Sequence, residues 1–445
     1  MRLPEITNPV ALECRECHAR YPVEPLTICE ECFGPLEPAY DLEAVDGVDF
    51  RKHVEAGPAS LWRYEALLPG GPGIDRVDLG AGFTPLRLAE RLGERLGMER
   101  LWIKDDSVNP SNSFKDRVVS VAITIARAFG FEAVSCASTG NLANATAAHA
   151  AKAGIPAFVF VPEDLEVAKI LATEAYGAKV VAVKGNYDDV NRLCTEVAEA
   201  LPWAFINVNM RPYYAEGSKS LGFEVAEQLG WRLPDHVVVP VASGALMTKV
   251  HRAFRELVAV GAVEDRAYRI SGAQAEGCAP VADAFRSGAS EVRPVKPDTI
   301  AKSLAIGNPA DGWYAIQTAR DTGGAVEACP EDEIVAGVRL LAETEGVFTE
   351  TAGGVTVAVL KRLRESRAIA PEEETVALIT GNGGRAVLGR VPRRPPRLNR
   401  CAELRRTAPR DETDGVLTGR EGPCGRSSRS SWRGCSSQEV GPSPR

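Results

Sequence analysis

Over long stretches the chain alternates between short apolar runs and Ala-rich amphipathic segments, an order that leaves few folds open. Asp116–Phe129 is helical in pattern, and Gly130 suits the residue that stops it. Glu132–Ala137 reads as a short buried strand, Leu142–Ala153 as a helix stopped by Gly154, and Ile155–Val161 as the next strand. The pairs continue: helix Val167–Tyr176 with strand Lys179–Val183, helix Tyr187–Ala200 with strand Ala204–Val208, and helix Ser218–Leu229 with strand His236–Val241. This predicts an α/β fold of mostly parallel sheets covered by helices on both faces. Ligands of such sheets sit beyond the carboxyl ends of strands, against helix N-termini. The turns after the strands therefore carry the functional reading.

The 445 residues suffice for more than one domain. No apolar run approaches the roughly 18–20 residues of a membrane helix, and Met1–Glu5 offers no apolar signal core. The expectation is a cytoplasmic protein with reduced thiols and no membrane partner. The net charge of −8 hides an asymmetry, because residues 384–445 hold 14 Arg, 6 acidic residues and no Lys. The rest of the chain is strongly acidic, which argues against a nucleic-acid partner.

Cys14-x-x-Cys17 and Cys29-x-x-Cys32 are two close pairs joined by a short hairpin. Four such thiolates suit a tetrahedral Zn²⁺ and leave no open position, so a structural metal is expected over a catalytic or redox one. A segment of about 40 residues with few apolar side chains needs such a staple. An empty ribbon is the alternative. His18 beside the pairs reads as a surface residue.

Asn109–Arg117 opens a helix with a polar, turn-forming run that ends in Phe114-Lys115-Asp116-Arg117. The positive end of a helix and partial burial both favour the free amine that imine formation requires. The plainer reading is a surface lysine in a first helical turn. Ser138-Thr139-Gly140-Asn141 follows a strand and opens a helix, where its donors can hold an anion or serve only as caps.

SNSFKDR, CASTGNLANATAAHAAKAG, NVNMRPYYAEGSKSLGFE, VPVASGALMTK, SGAQAEGC, AKSLAIGNPADGWY, EGVFTETAGGVTVAVL and TGNGG occur in one order over residues 1–383. Together they resemble the threonine synthase family, fold-type II pyridoxal-phosphate (PLP) enzymes related to threonine dehydratase and cysteine synthase. The four-cysteine ribbon marks one branch of that family. The resemblance implies a tryptophan-synthase-β-like α/β fold. Residues 1–43 would form the ribbon, 44–127 with 215–383 a larger PLP-binding lobe, and 128–214 a smaller substrate-binding lobe. A homodimer is the expected assembly.

The resemblance also implies roles. Lys115 would carry the cofactor as a Schiff base and later move protons. Phe114 would pack on the ring, and Asn141 would bond its 3′-oxygen. Ala242, Ser243, Gly244, Ala245 and Leu246 would cradle the phosphate; the plainer alternative is a small-residue turn that packs a strand on a helix. Ala and Leu stand where many members carry glycine or asparagine. Thr380 would face the pyridine nitrogen; a neutral partner suits elimination and replacement over transamination. The substrate implied is O-phosphohomoserine, converted with water to threonine and phosphate by β,γ-elimination and replacement. Ser138 and Thr139 would bind its carboxylate. Arg211 and Lys219, helped by Asn209 and Ser218, would anchor its phosphate or else serve ordinary ion pairs. Glu350 and Thr351 would line the same cleft in an unassigned role. The alternatives are a related lyase such as a threonine dehydratase, whose substrate bears no phosphate, and an inactive zinc-ribbon binding protein.

Beyond Gly383 the resemblance stops. An Arg-only basic tail rich in Gly, Pro and Ser is what a GC-rich coding region gives when read out of frame, and the tail is expected to be disordered. A disordered nucleic-acid-binding arm is the functional alternative. Translating the gene's other frames should restore a family-like C-terminus; if none does, the frameshift reading fails.

Overall fold

The computed structural model describes residues 6–138, 140–163, 171–184, 187–386 and 399–400. Its strands are, in chain order, β1 (Ala11–Cys14), β2 (Arg20–Tyr21), β3 (Leu36–Ala39), β4 (Leu86–Leu88), β5 (Leu101–Asp105), β6 (Ala133–Ala137) and β7 (Ala157–Pro162). After these come β8 (Lys179–Val183), β9 (Trp203–Phe205), β10 (His236–Pro240), β11 (Arg269–Ala275), β12 (Val326–Cys329), β13 (Thr375–Ile379) and β14 (Asn399–Arg400). The first helices are α1 (Gly47–Ala56), α2 (Glu90–Leu96), α3 (Lys115–Ala128), α4 (Asn141–Ala153), α5 (Leu171–Ala175), α6 (Tyr187–Ala200) and α7 (Arg211–Glu216). The rest are α8 (Lys219–Gln228), α9 (Ala245–Ala259), α10 (Pro280–Ser287), α11 (Gly312–Thr322), α12 (Glu331–Glu345) and α13 (Thr351–Glu365).

Three sheets result. The ribbon is antiparallel, ordered β2-β1-β3. A six-stranded sheet runs β12-β11-β10-β13-β5-β4, parallel except between β4 and β5. The third, β14-β8-β7-β6-β9, is wholly parallel. All three pack into one compact unit.

Strand β10 shows why these strands read as continuous apolar runs. Val237 and Val239 belong to one core with Leu221, Val250 and Phe254, while Val238 belongs to another with Val355 and Val359. A strand buried on both faces has no polar side to alternate with. Helix α3 sits between two cores: Val121 joins the core that covers one face of the large sheet, and Val118, Val119 and Ala122 join that of the third sheet. Gly130, at φ +80°, lies just past the end of this helix in a conformation that favours glycine.

Two element ends differ from the sequence reading for local reasons. Helix α3 begins at Lys115, one residue early, because Phe114 is already helical and donates its N–H to Thr380 O at 2.9 Å. Strand β9 ends at Phe205 because Asn209 folds back, accepting from Phe205 N at 2.8 Å and donating to Trp203 O at 3.0 Å. The helix expected over 167–176 is described from Leu171, and most of the tail lies outside the described residues. Among the described residues no helix is long and apolar enough to cross a membrane.

Two residues past Lys115, Arg117 is fully buried. It donates to Asp106 at 2.7 and 2.8 Å, to Glu224 at 2.5 and 2.7 Å and to Thr84 Oγ1 at 3.1 Å. Lys104 Nζ lies 2.7 Å from the same Glu224 carboxylate. Burial alone would raise the Glu224 carboxyl, yet Arg117 and Lys104 hold it down from 4.5 to about 2. Glu224→Gln should lower the unfolding free energy in urea by about 3–5 kcal/mol, the usual cost of breaking a buried pair. A carboxylate depressed in the fold contributes its stability above its ordinary value and loses it as pH falls toward the folded value. Between about pH 5 and about pH 2 the native chain should therefore lose more stability than Glu224→Gln; equal acid sensitivity would contradict this ion-pair role.

Candidate active site

The turns that follow β6, β10 and β13 open on one cleft of about 1360 Å³. Half-buried Lys115 stands at the first position of α3, and its Nζ donates to Tyr214 Oη at 2.8 Å. The same nitrogen lies 4.6 Å from the centre of the Phe114 ring. Because Phe114 N–H bonds to Thr380 O, the start of α3 is tied to the end of β13.

Ser138 and Asn141 line the cleft from the turn between β6 and α4. Thr139 lies outside the described residues. The Asn141 side-chain amide donates to both carboxylate oxygens of Glu350 at 3.1 Å, and Glu350 and Thr351 line the cleft at the start of α13. Between β10 and α9, Gly244 has φ +99°, and a Cβ there would fall 2.5 Å from Asp311 O. Only glycine suits both demands. Ala242, Ser243, Gly244, Ala245 and Leu246 border a smaller side pocket, which they share with Phe114, Lys115, Asn141, Ser218 and Thr380. The first-turn amides of a helix have no carbonyl partner within it, and its dipole favours an anion at that end. A lysine amine, a small-residue turn at the start of 15-residue α9, a side-chain amide and a hydroxyl thus meet in one pocket. That donor set fits a phosphorylated cofactor held through a carbonyl carbon.

Arg211 and Tyr214 stand three residues apart on α7 and both line the main cleft. Arg211 Nη2 donates to Asp311 Oδ2 at 3.0 Å. Two other residues expected to join Arg211 are used elsewhere. Lys219 is fully buried, with its Nζ 2.7 Å from Glu216 and 2.8 Å from Glu256 and 3.9 Å from the Tyr40 ring centre. It does not line the cleft, and both carboxylates that it meets are buried. Asn209 is committed to the turn that ends β9, while its neighbour Asn207 lines the cleft and has a buried Oδ1 with no hydrogen-bond partner among the described residues. Tyr214, Asn207, Asp311 and Arg15 were not singled out from sequence. The i, i+3 spacing from Arg211 was a usable signal for Tyr214.

In the ribbon, the sulfurs of Cys14, Cys17, Cys29 and Cys32 lie within 4.8 Å of one another. The individual pairs Cys14–Cys32, Cys17–Cys29 and Cys17–Cys32 are 3.4 to 3.5 Å apart. Cys14 and Cys29 are buried, and Cys17 and Cys32 exposed. Ribbon residues also reach the cleft, among them Arg15 and Glu37. Burial alone would raise the Glu37 carboxyl, but Lys249, Arg252 and Arg15 hold it down to about 2.

The fold is shared with proteins of low sequence identity. Maize serine racemase matches with a TM-score of 0.57 at 21% identity, over 76% of this chain and 95% of its own. Threonine deaminase isoform 2 from Solanum lycopersicum matches with a TM-score of 0.58 at 20% identity, over 87% and 98%. These likenesses speak to the fold alone. The family described as pyridoxal-phosphate dependent enzyme matches residues 77–381. Threonine synthases from Methanosarcina acetivorans and Methanocaldococcus jannaschii are each 36% identical, over 83% of this chain and 91% of theirs. That of Mycobacterium leprae is 35% identical over 73% and 88%. A relationship this extensive means that the chain belongs to the threonine synthase family of pyridoxal-phosphate dependent enzymes.

Proposed function

We propose that the chain converts O-phosphohomoserine and water to threonine and phosphate, with PLP carried on Lys115. The observation that carries this reading is one cleft lined together by Lys115, by Ser243 and Ala245 of the turn before α9, and by Arg211. When bound, PLP supplies the electron sink for charge developing on the carbon that loses its proton. The amides at the start of α9 hold the cofactor phosphate. Asn141 holds the ring oxygen, itself fixed by Glu350, and Thr380 meets the ring nitrogen as a neutral partner. The Lys115 amine takes and returns protons at the substrate carbons, and the Tyr214 hydroxyl 2.8 Å away keeps it aimed. Ser138 and Thr139 receive the substrate carboxylate. Arg211, and not Lys219, receives its phosphate. A phosphate dianion needs a charge-assisted donor, which favours a phosphorylated substrate over threonine itself.

Incubation with O-phosphohomoserine should release phosphate and threonine in equal amounts. Lys115→Ala should be silent, and Tyr214→Phe about tenfold slower through loss of one hydrogen bond to a charged or reacting group. Formation of 2-oxobutanoate from threonine, without phosphate release from O-phosphohomoserine, would overturn the assignment in favour of a dehydratase.

The four ribbon sulfurs fit a structural Zn²⁺, since they gather within 4.8 Å of one another and four thiolates leave no position for substrate. Metal analysis of the purified chain should find about one zinc per chain, and Cys17→Ser should lower that content. A fully folded, metal-free chain would contradict a structural zinc.

A further inference from the structure

Arg15 lies between the ribbon cysteines Cys14 and Cys17, yet its side chain lines the same cleft as Lys115 and Arg211. We infer that Arg15 is a second phosphate-binding residue of the active site, so that the ribbon builds part of the substrate pocket and does more than brace the fold. This inference rests on the proposed phosphorylated substrate.

Three observations carry it. First, Arg15 and Arg211 share one carboxylate: Arg15 Nη1 lies 3.6 Å from Asp311 Oδ1, and Arg211 Nη2 3.0 Å from Asp311 Oδ2. The two guanidiniums are thus held side by side. Asp311 in turn bonds to Ser243 O through its own N–H at 2.8 Å, which sets the pair against the turn that precedes α9.

Second, the charges do not balance. Among the described residues one ion-pair network links the cations Arg15, Arg211, Lys219, Lys249 and Arg252 to the carboxylates Glu37, Glu216, Glu256 and Asp311. Five positive charges face four negative ones. The surplus falls at the cleft, whose wall holds Arg15, Arg211 and Lys249 of this network against Glu37 and Asp311, with Lys115 and Lys302 against Glu350 besides. An entering dianion is favoured where cations outnumber carboxylates.

Third, Arg15 keeps its donors. Its Nη1 is 3.3 Å from Glu37 Oε1, but among the described residues it makes no well-aligned hydrogen bond. Its guanidinium carbon stacks 3.6 Å over the Tyr314 ring, which leaves the N–H groups directed outward in the guanidinium plane. Tyr314 also donates to Glu16, the next residue of the knuckle, so both contacts fix where Arg15 points.

The test titrates the cofactor-loaded protein with inorganic phosphate by calorimetry, alongside steady-state kinetics on O-phosphohomoserine. Arg15→Ala should weaken phosphate binding about tenfold or more and raise KM by a similar factor, with a smaller fall in kcat and the cofactor's visible absorbance retained. Arg15→Lys should recover part of the affinity. Removing the ribbon metal should weaken phosphate binding in the native chain and add little in Arg15→Ala. Unchanged phosphate affinity in Arg15→Ala, or no phosphate binding by the native chain, overturns the inference. So does a loss that affects cofactor absorbance and phosphate binding together and is not relieved in Arg15→Lys. Arg15-dependent phosphate binding without turnover of O-phosphohomoserine would sink the substrate assignment and leave the anion site standing.

Discussion

The buried Arg117 guanidinium, clamped between Asp106 and Glu224, is the interaction on which the rest of the site depends. It joins the segment after β5, the first turn of α3 and helix α8 at one point. Asp116 adds a second fixed point: it accepts from Ser111 N at 2.7 Å and meets His149 of α4 at 3.1 Å. Lys115 immediately precedes both. Two consecutive residues, Asp116 held by polar contacts and Arg117 by ion pairs, therefore set the phase of α3 and aim its first side chain at the cleft. Such geometry costs desolvation that hydrophobic packing would avoid. What it contributes is a lysine whose backbone cannot rotate away from the strand ends that surround it.

The same logic separates the charged residues that line the cleft from those that do not. Lys219 and Arg211 stand eight positions apart in one polar stretch, and either could serve an anion on chemistry alone. Lys219 faces inward to Glu216 and Glu256, where its charge is already satisfied. Among the described residues Arg211 pairs with one carboxylate, which it shares with Arg15. The two cations differ in that Lys219 is buried between two carboxylates, whereas Arg211 lines the cleft.

That distinction explains what sequence could and could not tell. The alternating fold was legible because its strands are buried on both faces and its helices end at glycines such as Gly130. The turns after β6, β10 and β13 were legible because parallel sheets gather ligands at their carboxyl ends. Lys219 was misjudged because burial of a lysine leaves no mark on composition. Asn209 was misjudged because a local turn and a ligand contact use the same side-chain amide. Arg15 was invisible because a residue between two metal-ligand cysteines reads as part of a knuckle, and only tertiary packing brings the ribbon to the cleft. The end of β9 and the start of α3 shifted for the same reason, through the side chain of Asn209 and the carbonyl of Thr380.

On the proposed function, Lys115 is the residue that carries the cofactor. Borohydride reduction of the cofactor-loaded chain, followed by proteolysis and mass spectrometry, tests it directly. A pyridoxyl-phosphate mass addition is predicted on the peptide containing Phe114-Lys115-Asp116. An adduct on any other lysine, or none on a chain that binds the cofactor, would contradict it.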